Sequence, residues 1–391
     1  MQHITIKLRL YPNHEQQYKI DKHIRASRFI FNHALELKQT LYERSGEYVN
    51  KFTINKHITG LRKCMPFLKE IHSQVLQNAN ANADTAFQNF FKGAGFPKFK
   101  SRRASTQTFA YPQGVKLNPT NRKIYLPKIG WVKARGWRKL TGKVKTCTVS
   151  WTSDGNYHVS ILLENDINYI MVKHNNQKIG LDLGVVKFAT LSDGTVFKLP
   201  SSLAKNQKRL KKLHKAVSRK QKGSQNRKKA KRKLAKCYSK VANIRKDFAH
   251  KVSNHLSDNQ TVVVEELGIK QMAKADGSHK RDLNREINNQ GWYQFLMFLE
   301  YKLARKGGKL IKVDPAYTSQ MCSNCGHISK ANRRSQSQFK CKKCSFELNA
   351  DWNAAINILN RGERGDSPPT KTGYGLLVGI MSFRAWCFIR A

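Results

Sequence analysis

The stretch KIGLDLGVV (residues 178–186) places Asp182 inside an apolar run that has the length of a buried strand. A second apolar run, TVVVEELG (261–268), places Glu265 directly after three valines. An unpaired carboxylate at such a position costs several kcal/mol or takes up a proton. These two strands therefore predict a site where the buried acids have a chemical purpose.

A third acid, Asp351, opens the apolar helical pattern ADWNAAINIL (350–359). The patterns between the acids predict a strand, a meander, a helix, a strand, a helix, a strand and a helix, which is the order of an RNase H-like fold. In that order the first and fourth strands are neighbours and the last helix packs beside them, so the acids converge. Carboxylates from such elements can hold two divalent ions about 4 Å apart, and oxygen ligands favour Mg²⁺. Taken singly, each acid could instead cap a helix or form a local salt bridge, and the neighbouring Glu266 competes with Glu265.

Four of the eight cysteines form two C-x2-C pairs, and these are Cys322 with Cys325 and Cys341 with Cys344. Four thiolates in two such pairs match one tetrahedral Zn²⁺, and a site without an open position is structural. Disulfides are the alternative. The other four cysteines are scattered along the chain, which is typical of reduced thiols in a cytosolic compartment.

Lys and Arg number 73 against 25 Asp and Glu, which gives a formal charge of +48 over 391 residues. A compact chain at that charge repels itself unless a polyanion neutralises it, and nucleic acid is the expected polyanion. A membrane surface would require an amphipathic basic helix, a lipidation signal or a long apolar run. The start MQHITIKLRLYP instead alternates as a strand does, so we expect no membrane partner.

The remaining patterns predict how the chain is divided. Short strands between residues 108 and 163, together with the first strand, predict a β-barrel interrupted by helices over 13–92. The loop GAGFPKFKSRR (93–103) interleaves Phe with Lys and Arg, which suits either nucleic-acid binding or a solvated basic loop. Two basic amphipathic helices follow within 204–252, and no acid occurs between Asp193 and Asp247, which favours the wall of a nucleic-acid channel.

Several motifs together resemble the TnpB (OrfB) family, which insertion sequences encode and which is related to type V CRISPR effectors. They are KLRLYP (7–12), PFLKEIHSQVLQ (66–77), GFPKFK (95–100), LPKIGWVKAR (126–135), GLDLG around Asp182, SRKQKGSQNRKKAKRKLAK (218–236), VVVEEL around Glu265, YTSQMCSNCG (317–326), CKKC (341–344) and ADWNAAINIL. The resemblance implies a RuvC-type, Mg²⁺-dependent DNA endonuclease. It also implies a guide RNA from the transposon end, and a double-stranded DNA target with a short adjacent motif. We expect one protein per RNA, in the prokaryotic cytosol or nucleoid.

The resemblance also assigns residues and domains. The catalytic, Mg²⁺-binding acids are Asp182, Glu265 and Asp351, because the first acid of the VVVEEL pair is the ligand in the family. The residues expected to contact nucleic acid are Ser73, Gln74, Gln77, Phe96, Lys98, Lys100, Arg219, Lys220, Arg227, Lys228 and Arg232. The expected domains are a wedge-like β-barrel (1–12 and 93–172), a helical recognition insert (13–92), a RuvC-like α/β domain (173–316 and 348–360), a zinc-ribbon insertion (317–347) and a tail (361–391). The composition of RGERGDSPPTKTG (361–373), at the start of this tail, predicts a linker or a disordered stretch.

Three alternatives share part of this pattern. A guide-independent transposase would have the same acids, an RNA-guided regulator would bind DNA without cutting it, and a ribosomal-type RNA-binding protein would explain only charge and zinc. The apolar end GYGLLVGIMSFRAWCFIRA (373–391) departs from the polar tail that the resemblance implies, and it suits either a packed element or a frameshifted end.

Overall fold

A computed structural model describes residues 2–137, 142–165, 177–268, 284 and 287–365. The described residues form two compact units. The first takes its residues from 1–168 and 210–239, and the second takes them from 169–209 and 240–391. The apolar end of the chain, including Cys387, and the predicted linker after residue 365 lie outside the described residues.

Antiparallel strands form a seven-stranded sheet in the first unit, in the order β2-β6-β7-β1-β5-β4-β3. Its strands are β1 (Gln2–Tyr11), β2 (Thr106–Tyr111), β3 (Lys116–Asn118), β4 (Lys123–Leu126), β5 (Gly130–Arg135), β6 (Lys143–Thr152) and β7 (Tyr157–Asn165). The first strand pairs with β7 along most of its length, so the start of the chain lies inside this sheet. Pairing between the edge strands β2 and β3 is absent among the described residues. The barrel therefore stays a prediction.

Helices fill the chain between β1 and β2, as the sequence predicts. They are α1 (His14–Ser45), α2 (Lys51–Cys64), α3 (Pro66–Lys69) and α4 (Ser73–Phe91). Asn13 starts α1 with a capping box, in which its side chain accepts from the Gln16 backbone N–H. The expected apolar face of α1 is buried, and it shares one hydrophobic core with α2, α4 and the sheet. The helices and the sheet therefore pack as one body within this unit.

Two long helices, α5 (Ser201–Ser218) and α6 (Gln225–Leu256), carry the basic run. Gly223, at a φ of 89°, lies in the turn between them. Both helices are amphipathic, and Lys and Arg make up much of their exposed faces. Within the described part of the chain, every helix is too short or too polar to cross a membrane.

The second unit is built on a five-stranded mixed sheet in the order β10-β9-β8-β11-β12. Its strands are β8 (Lys178–Asp182), β9 (Ala189–Leu191), β10 (Val196–Phe197), β11 (Thr261–Glu265) and β12 (Lys309–Val313), and its later helices are α7 (Trp292–Lys306) and α8 (Ala350–Arg364). A separate hairpin joins β13 (Gln338–Lys340) to β14 (Glu347–Asn349). The three strands β8, β11 and β12 run parallel, so their carboxyl ends meet at one edge.

The last helix is longer than the sequence predicted. Residues 361–364 were expected in a linker, but they form the final turn of α8, which ends at Gly365 with a φ of 76°. Arg361 explains the extension, because its Nη1 donates to the carbonyl oxygens of Asp314 (2.5 Å) and Ala316 (2.8 Å). The helix is thus held by the segment that follows β12.

Candidate functional site

Asp182 and Glu265 lie at the carboxyl ends of two neighbouring parallel strands. Leu181 pairs with Val264, so the two acids are the next residues of β8 and β11. Neighbouring strands are about 4.8 Å apart. Glu266 is exposed, and its backbone N–H donates to Val313 O at 2.8 Å. Because side chains alternate between the two faces of a strand, Glu265 and not Glu266 lies on the same face of the sheet as Asp182.

Two glycines, Gly180 in β8 and Gly362 in α8, let α8 pack directly against this sheet. A Cβ added at Gly180 would lie 2.1 Å from Ala355 O, and one added at Gly362 would lie 2.5 Å from a methyl group of Val263. Only glycine permits this approach at Gly180, since the neighbouring atoms are helix backbone. The GLDLG motif therefore lets the helix that carries Asp351 cross directly over β8.

The amino-terminal turn of α8 is fixed on both sides. Asn349 caps it, because its Oδ1 accepts from Trp352 N at 3.4 Å. The Trp352 indole donates to Ser192 O at 2.9 Å, and its ring lies 3.3 Å from the position of a Gly194 Cβ. The β9–β10 hairpin thus holds Asp351, the second residue of the helix, beside the strand ends.

Charge repulsion and burial act together on Asp182. Burial is the main cause that raises the pKa of Asp182 to about 7, and the negative charges of Glu265 and Asp351 add to it. The cations Arg333 and Lys187 oppose the shift of that pKa. Three acids from distant parts of the chain therefore share one electrostatic site.

Burial likewise raises the pKa of Glu265, and Asp314 contributes to the rise. The Thr318 hydroxyl donates a hydrogen bond to Glu265, and this bond together with the charge of Arg361 counteracts the rise in pKa. Thr318 is 2% exposed, so the hydrogen bond is shielded from water. It fixes the orientation of the carboxylate.

Two cations that the sequence reasoning missed lie against Asp351. Lys187 Nζ is 3.1 Å from Asp351 Oδ2 and 3.1 Å from Asn349 Oδ1, and Arg333 Nη2 is 3.7 Å from Asp351 Oδ1. Lys187 follows Asp182 by five residues, which is the only sequence signal for it. Arg333 lies between the two cysteine pairs, where the sequence gives no hint of its neighbour.

The four cysteines form a tighter group than the acids. Their sulfur atoms all lie within 4.8 Å of one another, and no other His, Cys, Asp or Glu group of three or more in the described residues meets that spacing. Cys322 Sγ is 3.7 Å from Cys344 Sγ, and Cys325 Sγ is 3.6 Å from Cys341 Sγ. Tetrahedral Zn–S bonds of about 2.3 Å require sulfur atoms about 3.8 Å apart. The cluster can therefore hold a metal ion as it stands.

Each cysteine pair forms the same tight turn. Gly326 N donates to Cys322 O at 2.9 Å, and Ser345 N donates to Cys341 O at 3.1 Å. Both residues have a positive φ, 74° for Gly326 and 59° for Ser345. The equivalence of the two turns supports a common role as metal-binding knuckles.

Asparagines of the ADWNAAINIL motif attach the cysteine-rich segment to α8. Asn353 Oδ1 accepts from Ser323 N at 3.0 Å, and its Nδ2 donates to Met321 O at 2.8 Å. Asn357 Nδ2 donates to Met321 O at 2.7 Å and to Thr318 O at 2.9 Å. The segment that contacts Glu265 is thus held by the helix that carries Asp351.

The residues predicted to read DNA lie at the start of α4, but they are not equally accessible. Ser73 is its first residue and Gln77 is exposed. The Oε1 atom of Gln74 is buried, without a hydrogen-bond partner among the described residues. Gln77 is therefore the best placed of the three to reach a base.

The loop residues predicted to bind nucleic acid partly pack on the helices of the first unit. Phe96 packs edge-on against Phe87 and Phe90, with ring centroids 5.9 and 5.2 Å apart. Lys100 Nζ lies 3.9 Å from the Phe31 ring centroid. Lys98 is exposed. Their contacts to nucleic acid stay predictions.

Five basic residues of the α5–α6 region were also predicted to bind nucleic acid. Arg219, Lys228 and Arg232 are exposed, and Lys220 is half-buried. Arg227 is half-buried and donates from Nη1 to Lys220 O at 2.8 Å, which orders the turn between the helices. Their contacts to nucleic acid also stay predictions.

Three family models match successive parts of the chain. Residues 158–276 match the IS605 OrfB family, described as "Probable transposase", and residues 292–358 match "Cas12f1-like, TNB domain". Residues 1–47 match a model described as "Helix-turn-helix domain", although here they contain β1 and the single helix α1.

Similar proteins extend the match to nearly the whole chain. "Putative RNA-guided DNA endonuclease InsQ" of Escherichia coli (strain K12) is 41% identical, over 92% of this chain and 92% of that protein. A "Putative RNA-guided DNA endonuclease" of Streptomyces pristinaespiralis is 32% identical, over 92% of this chain and 89% of that protein. The fold resembles a chain in a cryo-EM structure of a Cas12f1–sgRNA–target DNA complex. The TM-score is 0.55 at 15% identity, over 92% of this chain and 99% of that chain. The chain therefore belongs to the IS605 OrfB family of TnpB-like proteins, which is related to the type V CRISPR effectors.

Proposed function

We propose that the protein is an RNA-guided DNA endonuclease that hydrolyses phosphodiester bonds at Asp182, Glu265 and Asp351. The observation that carries the proposal is the position of half-buried Asp182 and Glu265 at the carboxyl ends of neighbouring parallel strands, with Asp351 on the helix that crosses β8. A structural salt-bridge network would pair each acid with a cation, whereas Asp182 has two acids as its strongest charged neighbours. The names of the two relatives agree with this activity.

The fold supports the proposal at a finer level. The order β10-β9-β8-β11-β12, with antiparallel strands on one side and parallel strands on the other, suits an RNase H-like domain of the RuvC type. We assign residues 317–347 to a zinc-ribbon insertion in that domain. The sheet of the first unit is then the wedge-like barrel, and its helices over 13–92 are the recognition insert.

The three acids suit two Mg²⁺ ions and the four cysteines suit one Zn²⁺. Bound to the acids, the Mg²⁺ pair would activate a water molecule and stabilise the leaving 3′ oxygen. Asp182, Glu265 and Asp351 would hold the ions through oxygen ligands, which Mg²⁺ prefers. Asp182 must lose its proton to bind a cation, while Lys187 and Arg333 hold the Asp351 side chain in place in the metal-free protein.

A charge of +48 and the basic helices α5 and α6, in which no acid precedes Asp247, suit a long RNA. We propose a guide RNA from the transposon end as the partner, with one protein per RNA in the prokaryotic cytosol or nucleoid. The protein would read a short motif beside the target through α4, and base pairing would read the rest. The basic residues from Arg219 to Arg232 and the loop at 96–100 would contact phosphates.

Co-expression with the flanking DNA of the gene tests the proposal. We expect a long RNA to co-purify and the complex to cut matching DNA in Mg²⁺. Asp182→Ala should abolish cutting and leave RNA binding intact. Asp247→Ala is the matched control, because that acid only pairs with Lys251 on the helix surface, at 2.9 Å. Cutting by Asp182→Ala at the wild-type rate would refute the site.

The alternatives give different results in the same experiment. A guide-independent transposase would bind transposon ends without a co-purifying RNA. An RNA-guided regulator would carry the RNA and bind its target but leave it uncut.

A further inference from the structure

Tyr317 stands immediately before Thr318, the residue that donates a hydrogen bond to Glu265. The two neighbours differ sharply, since Tyr317 is 59% exposed and Thr318 is 2% exposed. The φ of Tyr317 is 62°, in the left-handed region that large side chains rarely adopt. Such strain persists only where the surrounding structure imposes it, and it is concentrated at functional sites.

The backbone on both sides of Tyr317 is firmly held. Its carbonyl oxygen accepts from Gln320 N at 2.9 Å and from Met321 N at 3.0 Å. On the other side, Ala316 N donates to Asp314 Oδ1 at 3.0 Å, and Ala316 O accepts from Arg361. These hydrogen bonds hold the backbone of Tyr317 in the left-handed conformation. In this conformation the aromatic ring is exposed to solvent.

The Tyr317 ring is mostly exposed to solvent. Among the described residues it makes no contact with another ring or with a cation above its face, unlike Tyr301, over which Arg305 lies at 4.8 Å. Its Cα is one peptide, about 3.8 Å, from that of Thr318, whose hydroxyl donates to Glu265, so Tyr317 is anchored next to a residue that contacts one of the three acids. Exposed rings next to cationic side chains are what proteins use to hold single-stranded nucleic acid by base stacking.

We propose that Tyr317 stacks on one base of the DNA strand being cut, next to the scissile phosphate, and so fixes that strand over the three acids. This inference rests on the proposed nuclease function and deepens it, because it names a substrate contact of that site. Lys187 and Arg333, on Asp351, would face the phosphates of the same strand. The ring contributes contact area without base selectivity, since every base has a face for stacking.

Two substitutions separate stacking from backbone strain. Tyr317→Phe keeps the ring, and Tyr317→Gly removes it while relieving the left-handed conformation. We expect Tyr317→Phe to cut at close to the wild-type rate. Tyr317→Gly should fold at least as stably but cut roughly tenfold to a hundredfold more slowly, the range for loss of one base stack. Tyr293→Ala is the control, because it removes another exposed tyrosine (69%) of the same unit.

Cutting of substrates that carry a single abasic nucleotide near the cut distinguishes base stacking from a purely structural role of Tyr317. The wild-type complex should cut more slowly when one particular nucleotide is abasic. The cutting rate of Tyr317→Gly should not depend on whether that nucleotide has a base. Wild-type cutting rates for Tyr317→Gly, or unchanged abasic sensitivity, would overturn the stacking proposal alone. Failure of the wild-type complex to cut at all would instead overturn the nuclease function, and the stacking proposal with it.

Discussion

Gly180→Ala should disable the protein by moving a helix rather than by touching an acid. The added Cβ would lie 2.1 Å from Ala355 O and 2.8 Å from Leu359 N, whereas ordinary contact begins near 3.4 Å. Both neighbours are backbone atoms, so no side chain can rotate away. The helix α8 must therefore retreat from β8 by more than 1 Å and carry Asp351 with it.

The size of this displacement sets the expected loss of cutting rate. Misplacement of a catalytic group by about 1 Å can cost about 100-fold in rate, so we expect cutting to fall by about that factor. Overpacking of this kind typically costs about 1–3 kcal/mol of folding free energy. The matched control is Gly60→Ala in α2, where an added Cβ meets nothing within 4 Å, and there alanine should slightly stabilise the helix.

Single-turnover cutting by the purified RNA complex, with thermal unfolding measured in parallel, tests this account. The double variant Gly180→Ala with Ala355→Gly should not recover activity, because the clash is with the carbonyl oxygen and not with the Ala355 methyl group. A Gly180→Ala protein that cuts within twofold of wild type, with an unchanged unfolding temperature, would refute the proposed packing. Recovery in the double variant would refute its backbone origin.

Other predictions concern charge and metal. Because the pKa of Asp182 is raised to about 7, the Mg²⁺-free folded protein keeps a proton there that the unfolded chain loses near pH 4. Its stability should therefore fall as pH rises from about 4 to 7, and thermal unfolding of Asp182→Asn should lack this contribution. Cys322→Ser should lose stoichiometric zinc by elemental analysis, and retention of zinc would contradict the four-thiolate site. Asp84→Ala leaves Lys38, with a side chain 3% exposed, without its 2.8 Å partner, which should cost about 3–5 kcal/mol in denaturant unfolding. Glu15→Ala, at an exposed ion pair with Lys19, should leave the denaturant midpoint almost unchanged.

The strands and helices that carry the acids were predictable because burial leaves a strong pattern. Three valines before Glu265 and the apolar run around Asp182 required buried strands, and both strands lie where the sequence placed them. The four cysteines were equally predictable, since two C-x2-C pairs are a local pattern for a four-sulfur cluster, and their sulfur atoms lie within 4.8 Å of one another. These elements were predictable because their patterns involve residues that are close together in the sequence.

The cation Arg333 and the hydroxyl of Thr318 could not be predicted as neighbours of the acids, because they belong to segments that are distant from those acids in the sequence. Arg333 reaches Asp351 from between the cysteine pairs, and Thr318 reaches Glu265 from the segment after β12. Arg361 was predicted to lie in a linker because of the composition of RGERGDSPPTKTG (361–373) as a whole. In the structure, Gly362 is required for close packing on Val263, which no local pattern reveals.

Anomalous scattering from crystals of the protein–RNA complex soaked in Mn²⁺ tests the central claim most directly. Manganese peaks should appear within coordination distance of carboxylate oxygens of Asp182, Glu265 and Asp351, with Lys187 displaced from its contact to Asp351. Manganese bound only elsewhere, with Lys187 still paired to Asp351 and Asp182 without a metal, would contradict the account.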